Sequence, residues 1–163
     1  MNALTWLDST SATVTRGLEG KPHVRWLIRR DTDEVLFISY ATDRPLTRET
    51  LADSLRGLNR IGMVVEVGEK VVGFMLYELH NDRLHVTHLA VHPLWQRVGI
   101  GAAMVEKLMS KLSERRRTRI TLDVNERNVT GQIWLRGRGF LAVRCDSEAE
   151  TIRFVRRVEH VDE

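Results

Sequence analysis

Hydrophobic positions along this chain switch between two periods, and the switches mark out its elements. His23-Val-Arg-Trp-Leu-Ile-Arg29 alternates as a strand does. Arg30-Asp31-Thr32-Asp33 then offers a cap for a short helix through Tyr40. After Pro45, Leu51, Leu55 and Leu58 predict a second helix with Thr47 as its N-cap. Three strand-like runs follow at 61–67, 70–79 and 83–92, parted only by the turn signals Gly68-Glu69 and Asn81-Asp82. That spacing predicts an antiparallel meander. From Gly99 to about Glu114, the residues Ile100, Met104, Val105, Leu108, Met109 and Leu112 return at helical spacing and form one apolar stripe. A strand at 120–124, a short helix from Val129 to Leu135, and strands at 140–145 and 151–158 complete the order βααβββαβαββ. The class is mixed α+β, and the helix between strands 83–92 and 120–124 is long enough to let those two run parallel.

Residues 1–21 show neither period beyond a small knot at Leu4, Trp6 and Leu7, and read as a polar N-terminal extension. Residues 22–158 then form a single domain and 159–163 a short tail. Composition fits this reading: 163 residues with 42% apolar and 29% charged side chains support one core and exclude wholesale disorder. Lys and Arg total 25 against 22 for Asp and Glu, a small surplus spread along the chain. Duplex nucleic acid is therefore not an expected partner. Arg115-Arg116-Arg117 and Arg119 read as a basic helix end complementing the dipole. Cys145 is the single cysteine, which excludes an intrachain disulfide and a cysteine zinc site. No apolar run approaches the roughly 20 residues of a membrane span, and the N-terminus lacks a signal-peptide pattern. A cytoplasmic protein with no membrane partner is expected.

The informative stretch is Leu-Ala-Val-His-Pro-Leu-Trp-Gln-Arg-Val-Gly-Ile-Gly (89–101), where a strand ends, a loop follows and a helix begins within the loop. Glycines at 99 and 101 let the backbone approach a ligand, the first free N–H groups of the helix point at it, and Arg97 adds a fixed positive charge. This is an anion cradle, or else a glycine-rich helix start with no ligand. A Walker loop is excluded because no G-x-x-x-x-G-K-[ST] run exists, and a dinucleotide fingerprint because no GxGxxG is present.

Gln96-x-x-Gly99-x-Gly101 after His-Leu-Ala-Val-His-Pro resembles the acyl-CoA pyrophosphate loop of the GNAT acetyltransferases. Residues 122–140, Leu-Asp-Val-Asn-Glu-Arg-Asn through Gly-Phe, resemble that family's next segment, and the element order matches too, over roughly residues 23–157. The nearest pattern is that of the ribosomal-protein alanine N-acetyltransferases. The resemblance implies a mostly antiparallel GNAT-like sheet with helices on both faces. It also implies an acetyl-CoA-dependent N-acetyltransferase with no metal, which passes an acetyl group directly to an amine. The acceptor is a peptide N-terminus or a small molecule, and a module that holds acyl-CoA without turnover is the alternative from another class. On this reading Leu89, Ala90 and Val91 meet the pantetheine, Gln96, Arg97, Val98, Gly99, Ile100, Gly101 and Ala102 hold the pyrophosphate, and Asn128 touches the cofactor from the far side. Monomer and homodimer both remain open.

The acceptor half departs from that pattern. Asp123 stands where the alanine acetyltransferases carry a glutamate base, Leu135 where they carry a tyrosine acid, and Leu46 where a tryptophan lies in the acceptor segment. Asp123 is the first candidate base and Glu126 the substitute. Tyr40 and Tyr77 are candidate acids only if they fold close to the thioester. His85, His88 and His92 look like a metal cluster on paper, but on a regular strand 85 and 88 point to opposite faces, leaving at most one in the acceptor cleft. Cys145 reads as a small buried residue, and Trp26, Trp95 and Trp134 as packing, with Trp95 beside the loop.

Overall fold

The computed structural model describes residues 20–159. Most of the expected N-terminal extension, with its apolar knot, and most of the expected tail lie outside the described residues. Seven strands form one sheet: β1 (His23–Trp26), β2 (Arg60–Val67), β3 (Lys70–Leu79), β4 (Arg83–Val91), β5 (Arg119–Asn125), β6 (Leu141–Asp146) and β7 (Thr151–Arg157). Among the described residues four α-helices join them: α1 (Thr32–Ser39), α2 (Arg48–Ser54), α3 (Ile100–Met109) and α4 (Val129–Gly137). The predicted order is observed. The long apolar stripe was expected to carry its helix to Glu114, but α3 stops at Met109. There Lys111 and Leu112 donate to the carbonyls of Leu108 and Met109, a tighter turn that ends the helix.

The sheet order is β1-β2-β3-β4-β5-β7-β6, antiparallel throughout except for β4 beside β5. Strand alternation sorts the apolar residues into two cores. Val64, Val71, Phe74, Leu76 and Ala90 pack with Val35, Ile38 and Leu51 of α1 and α2. On the other face Val65, Met75, Leu84, Val86, Ile120 and Phe154 pack with Met104, Leu108 and Leu135 of α3 and α4. At α2, Thr47 accepts a hydrogen bond from the Thr50 N–H at 3.1 Å, the predicted cap. β1 is pinned by Arg25, which reaches Asp31 at 2.8 Å and Glu66 at 2.9 Å.

Two irregularities shape the site. Tyr77 pairs with Val86 but the next residue of β3, Leu76, pairs with His88, so Thr87 is an extra residue, a β-bulge. At the same level the parallel pairing of β4 with β5 runs out: it links Arg83 to Arg119 through Val86 to Leu122 and goes no further. Beyond it the two strands diverge. The bulge also corrects the expected facing of the histidines. His85 opposes Glu78 and His88 opposes Leu76, and since Glu78 and Leu76 share a face, so do the histidines.

Cys145 is exposed rather than buried. The insertion of β7 between β5 and β6 leaves β6 at the sheet edge, with Leu141 and Val143 also exposed. Trp95 is buried in the core, the packing place expected of it, whereas Trp26 is largely exposed under the Lys111 ammonium. Among the described residues no helix is long and apolar enough to cross a membrane.

Candidate active site

The divergence of β4 from β5 opens a cleft of about 1040 Å³ whose walls include Leu89, Ala90 and Val91 on β4, Gln96, Arg97, Gly99, Gly101 and Ala102 on the loop and α3, and Asn128, Gly131 and Trp134 on α4. Past Val86 the edge of β4 that faced β5 has lost its partner, so its peptide groups are open to a ligand's amides. The cleft's floor continues into a smaller recess of about 130 Å³, bounded by Thr42, Asp43, Arg44, His88, Asp123 and Leu135 among others.

Local sequence explains the loop. Gly99 sits at φ +91° and Arg97 at φ +63°, two left-handed residues flanking Val98. The first is natural for glycine; the second strains an ordinary residue at the turn into α3. α3 then begins with no side-chain cap, whereas α2 and α4 are capped by Thr47 and Asn128. Its first N–H groups and the positive dipole end therefore face the cleft wall uncommitted, beside the exposed Arg97. Gly101 serves another purpose than ligand approach alone: a Cβ there would meet the Trp134 ring at 2.6 Å, so its absence lets α4 lay that ring across the loop.

Of the residues expected to hold the cofactor, Leu89, Ala90, Val91, Gln96, Arg97, Gly99, Gly101, Ala102 and Asn128 all border the cleft. Asn128 doubles as the cap of α4, its Oδ1 accepting from the Gly131 N–H at 2.9 Å. Val98 and Ile100 turn their side chains toward the core, leaving only backbone to offer. The sequence reading missed Arg127 and Arg138, which line the same cleft, Arg138 lying 5.4 Å from the Trp134 ring centre. Neither sits in a spacing that distinguishes it from a surface arginine.

The acid–base expectations fare differently. Asp123 reaches the recess, but Arg153 grips it with two hydrogen bonds, Nε to Oδ1 at 2.8 Å and a terminal guanidinium nitrogen to Oδ2 at 2.9 Å. That fork holds the carboxyl below its ordinary range despite partial burial. A stabilised carboxylate is a weak base. Glu126 is exposed in the turn after β5 and borders neither the cleft nor the recess; its carbonyl accepts from Gln132 instead. Tyr77 is buried with its hydroxyl against the Met63 sulfur at 3.6 Å, and burial pushes it up to about 12, while Tyr40 is exposed and does not border the cleft. Leu135 does line the recess, as its alignment implied. Leu46 does not: it is buried beneath α1 and α2, and the neighbouring Thr42, Asp43 and Arg44 border the recess instead. His92 is buried, its Nδ1 accepting from the Leu94 N–H at 3.1 Å. No cluster able to hold a metal ion occurs among the described residues.

A family model described as the acetyltransferase (GNAT) family matches residues 21–140, well over half of the chain. The chain belongs to the GNAT acetyltransferase family. Its members transfer an acetyl group from acetyl-CoA to an amine, and this chain is an N-acetyltransferase of that kind. Solved structures agree on the GNAT fold. Ard1 from Thermoplasma volcanium superposes with a TM-score of 0.73 at 20% identity, covering 85% of this chain and 99% of that one. The ribosomal-protein-S18-alanine N-acetyltransferase from Escherichia coli gives 0.73 at 19% identity over 88% and 97%. PaiA N-acetyltransferase from Thermoplasma acidophilum, solved with coenzyme A, gives 0.65 at 17% over 85% and 99%. No curated protein matches the chain in sequence. The GNAT model ends at residue 140, before β6 and β7, so the strand that supplies Arg153 lies outside the matched region.

Proposed function

We propose that this GNAT acetyltransferase acetylates the α-amine of a peptide, with acetyl-CoA in the cleft between β4 and β5 and the amine in the recess beside Asp43, Arg44 and His88. The observation that carries the reading is the junction of the two spaces where β4 and β5 part. The cleft suits the cofactor on this chain's own chemistry: unpaired β4 peptide groups for the pantetheine, the uncapped α3 terminus and Arg97 for the pyrophosphate, and Arg127 and Arg138 for further negative charge. Acetyl-CoA supplies an activated thioester. The protein's part is to align the amine with it, exclude water and accept a proton.

Two features favour a peptide. α1 packs over β3 and β4, while Leu141 and Val143 of β6, at the sheet edge beyond β5 and β7, stay exposed, so an extended acceptor has sheet to lie along. An α-amine, with pKa near 8, also demands less of a base than a lysine near 10.4. That suits a site whose Asp123 carboxylate is already paired with Arg153.

Thiol release with a panel of amines tests the reading. A peptide with a free N-terminus should exceed the same peptide N-blocked but bearing a lysine, and also a polyamine, by at least about tenfold in kcat/KM, about 1.4 kcal/mol. Faster turnover of the polyamine would reassign the acceptor.

A further inference from the structure

We propose that His88 is the base of this acetyltransferase, accepting the acceptor amine's proton at Nε2; the assignment rests on the reading above. The bulge at Thr87 puts His88 on the α1 and α2 face and into the recess, where its ring stacks on Phe74 at 6.5 Å between centroids. Hydrogen bonding then fixes the tautomer. The Thr87 hydroxyl lies 3.2 Å from the Leu76 carbonyl, which can only accept, so the hydroxyl proton is spent there. The His88 Nδ1 lies 3.2 Å from that same oxygen, which has only lone pairs left to offer. Nδ1 must therefore carry the hydrogen, and Nε2 keeps a free lone pair.

The charged groups around the ring keep it neutral. Arg44, from the loop after α1, opposes a second positive charge, and Asp43 beside it favours one. Asp123 of β5 also borders the recess but is tied to Arg153. Burial and Arg44 together outweigh Asp43 and hold the imidazole below its ordinary value of 6.5, so it is unprotonated near neutral pH. The reaction balances without another reactant. Nε2 takes one proton from the ammonium, and the freed nitrogen pair forms the C–N bond as the C–S bond breaks with its electrons on sulfur. A second nitrogen proton converts the thiolate to thiol, and His88 returns its proton to water.

The test combines spectroscopy and kinetics on the full chain. Nitrogen NMR of the imidazoles should show His88 protonated at Nδ1 and titrating below 6.5, and an Nε2–H tautomer would overturn the assignment. His88→Gln should lower kcat/KM near pH 7 by about 10²–10⁴-fold. The parent's acid limb should break below 6.5, and the variant's should climb instead toward the amine's own pKa, with acetyl-CoA affinity by calorimetry unchanged. Thr87→Val, which removes the oxygen that fixes the tautomer, should shift the same limb, and Thr87→Ser should restore it. An active parent with an unchanged limb in His88→Gln overturns the base alone. A parent that releases no thiol overturns the acetyl-transfer reading as well.

Discussion

Asp31 shows how much one buried carboxylate can carry in this small domain. It is 2% exposed, accepts the Ile28 N–H at 2.9 Å, and forks with Arg25, which also holds Glu66 of β2. Burial alone would raise its pKa, but the bonds from Arg25 and Ile28 outweigh burial and hold it below the ordinary value. A depressed folded pKa stabilises the fold fully above the unfolded value near 3.9 and is lost as pH falls through the folded one. Asp123, held down by Arg153, has the same sign. These two carboxylates should therefore contribute evenly above about pH 5 and lose their contribution below about 4. That loss lies beneath the decline that begins below about 6.5 as His85, His88 and His92, each held down chiefly by burial, resist protonation in the fold. Asp31→Ala should cost about 1–3 kcal/mol at neutral pH by removing the acceptor of the Ile28 N–H and one of the two carboxylates on Arg25, which keeps Glu66, and should flatten part of the acid decline. An unchanged acid limb in calorimetry would show that the pair contributes nothing across that range.

α3 allows stability and binding to be pulled in opposite directions. Ala102 is its third residue, on the cleft wall. A glutamate there lies in the first turn, where a negative charge favours the helix by about 0.3–1 kcal/mol. The same charge occupies the place proposed for the pyrophosphate. Ala102→Glu should raise the melting temperature slightly while weakening acetyl-CoA at least about tenfold, about 1.4 kcal/mol. Equal affinity in both proteins would move the pyrophosphate elsewhere. The substitution is cleaner than one at Gly99, where φ +91° would strain any side chain. This loop was legible in the sequence because its signals are local: two glycines, a strand end and a helix start within a dozen residues. The bulge at Thr87 was not, since Val86-Thr87-His88 contains no glycine or proline and the extra residue exists only in relation to β3. A strict alternation therefore sent His88 to the wrong face and hid the recess's histidine.

Across the whole molecule, the order of elements followed from periodicity, but the order of strands within the sheet did not. Nothing in the sequence of β6 says that β7 will slip between it and β5, because strand neighbours are chosen by long-range pairing. Asp123 was legible as a strand-end carboxylate for the same local reasons, while its partner Arg153 stands 30 residues later and came as a surprise. The insertion has a consequence for how the chain is made. β6 leaves the ribosome before β7 yet, among the described strands, has only β7 to pair with, so it must wait unpaired until β7 emerges. Until then Asp123 carries its charge without Arg153, and the exposed apolar edge has no register. A chain stopped at Glu150 should therefore lose two strands rather than one. Hydrogen exchange should find β1 to β4 protected and residues 141–146 open; protection there would mean that β6 can hold to β5 by itself. For this protein, β6 and the Arg153 clasp on Asp123 come into being together, only once β7 has joined the sheet, and a nascent chain carries a sticky, unpaired segment until then.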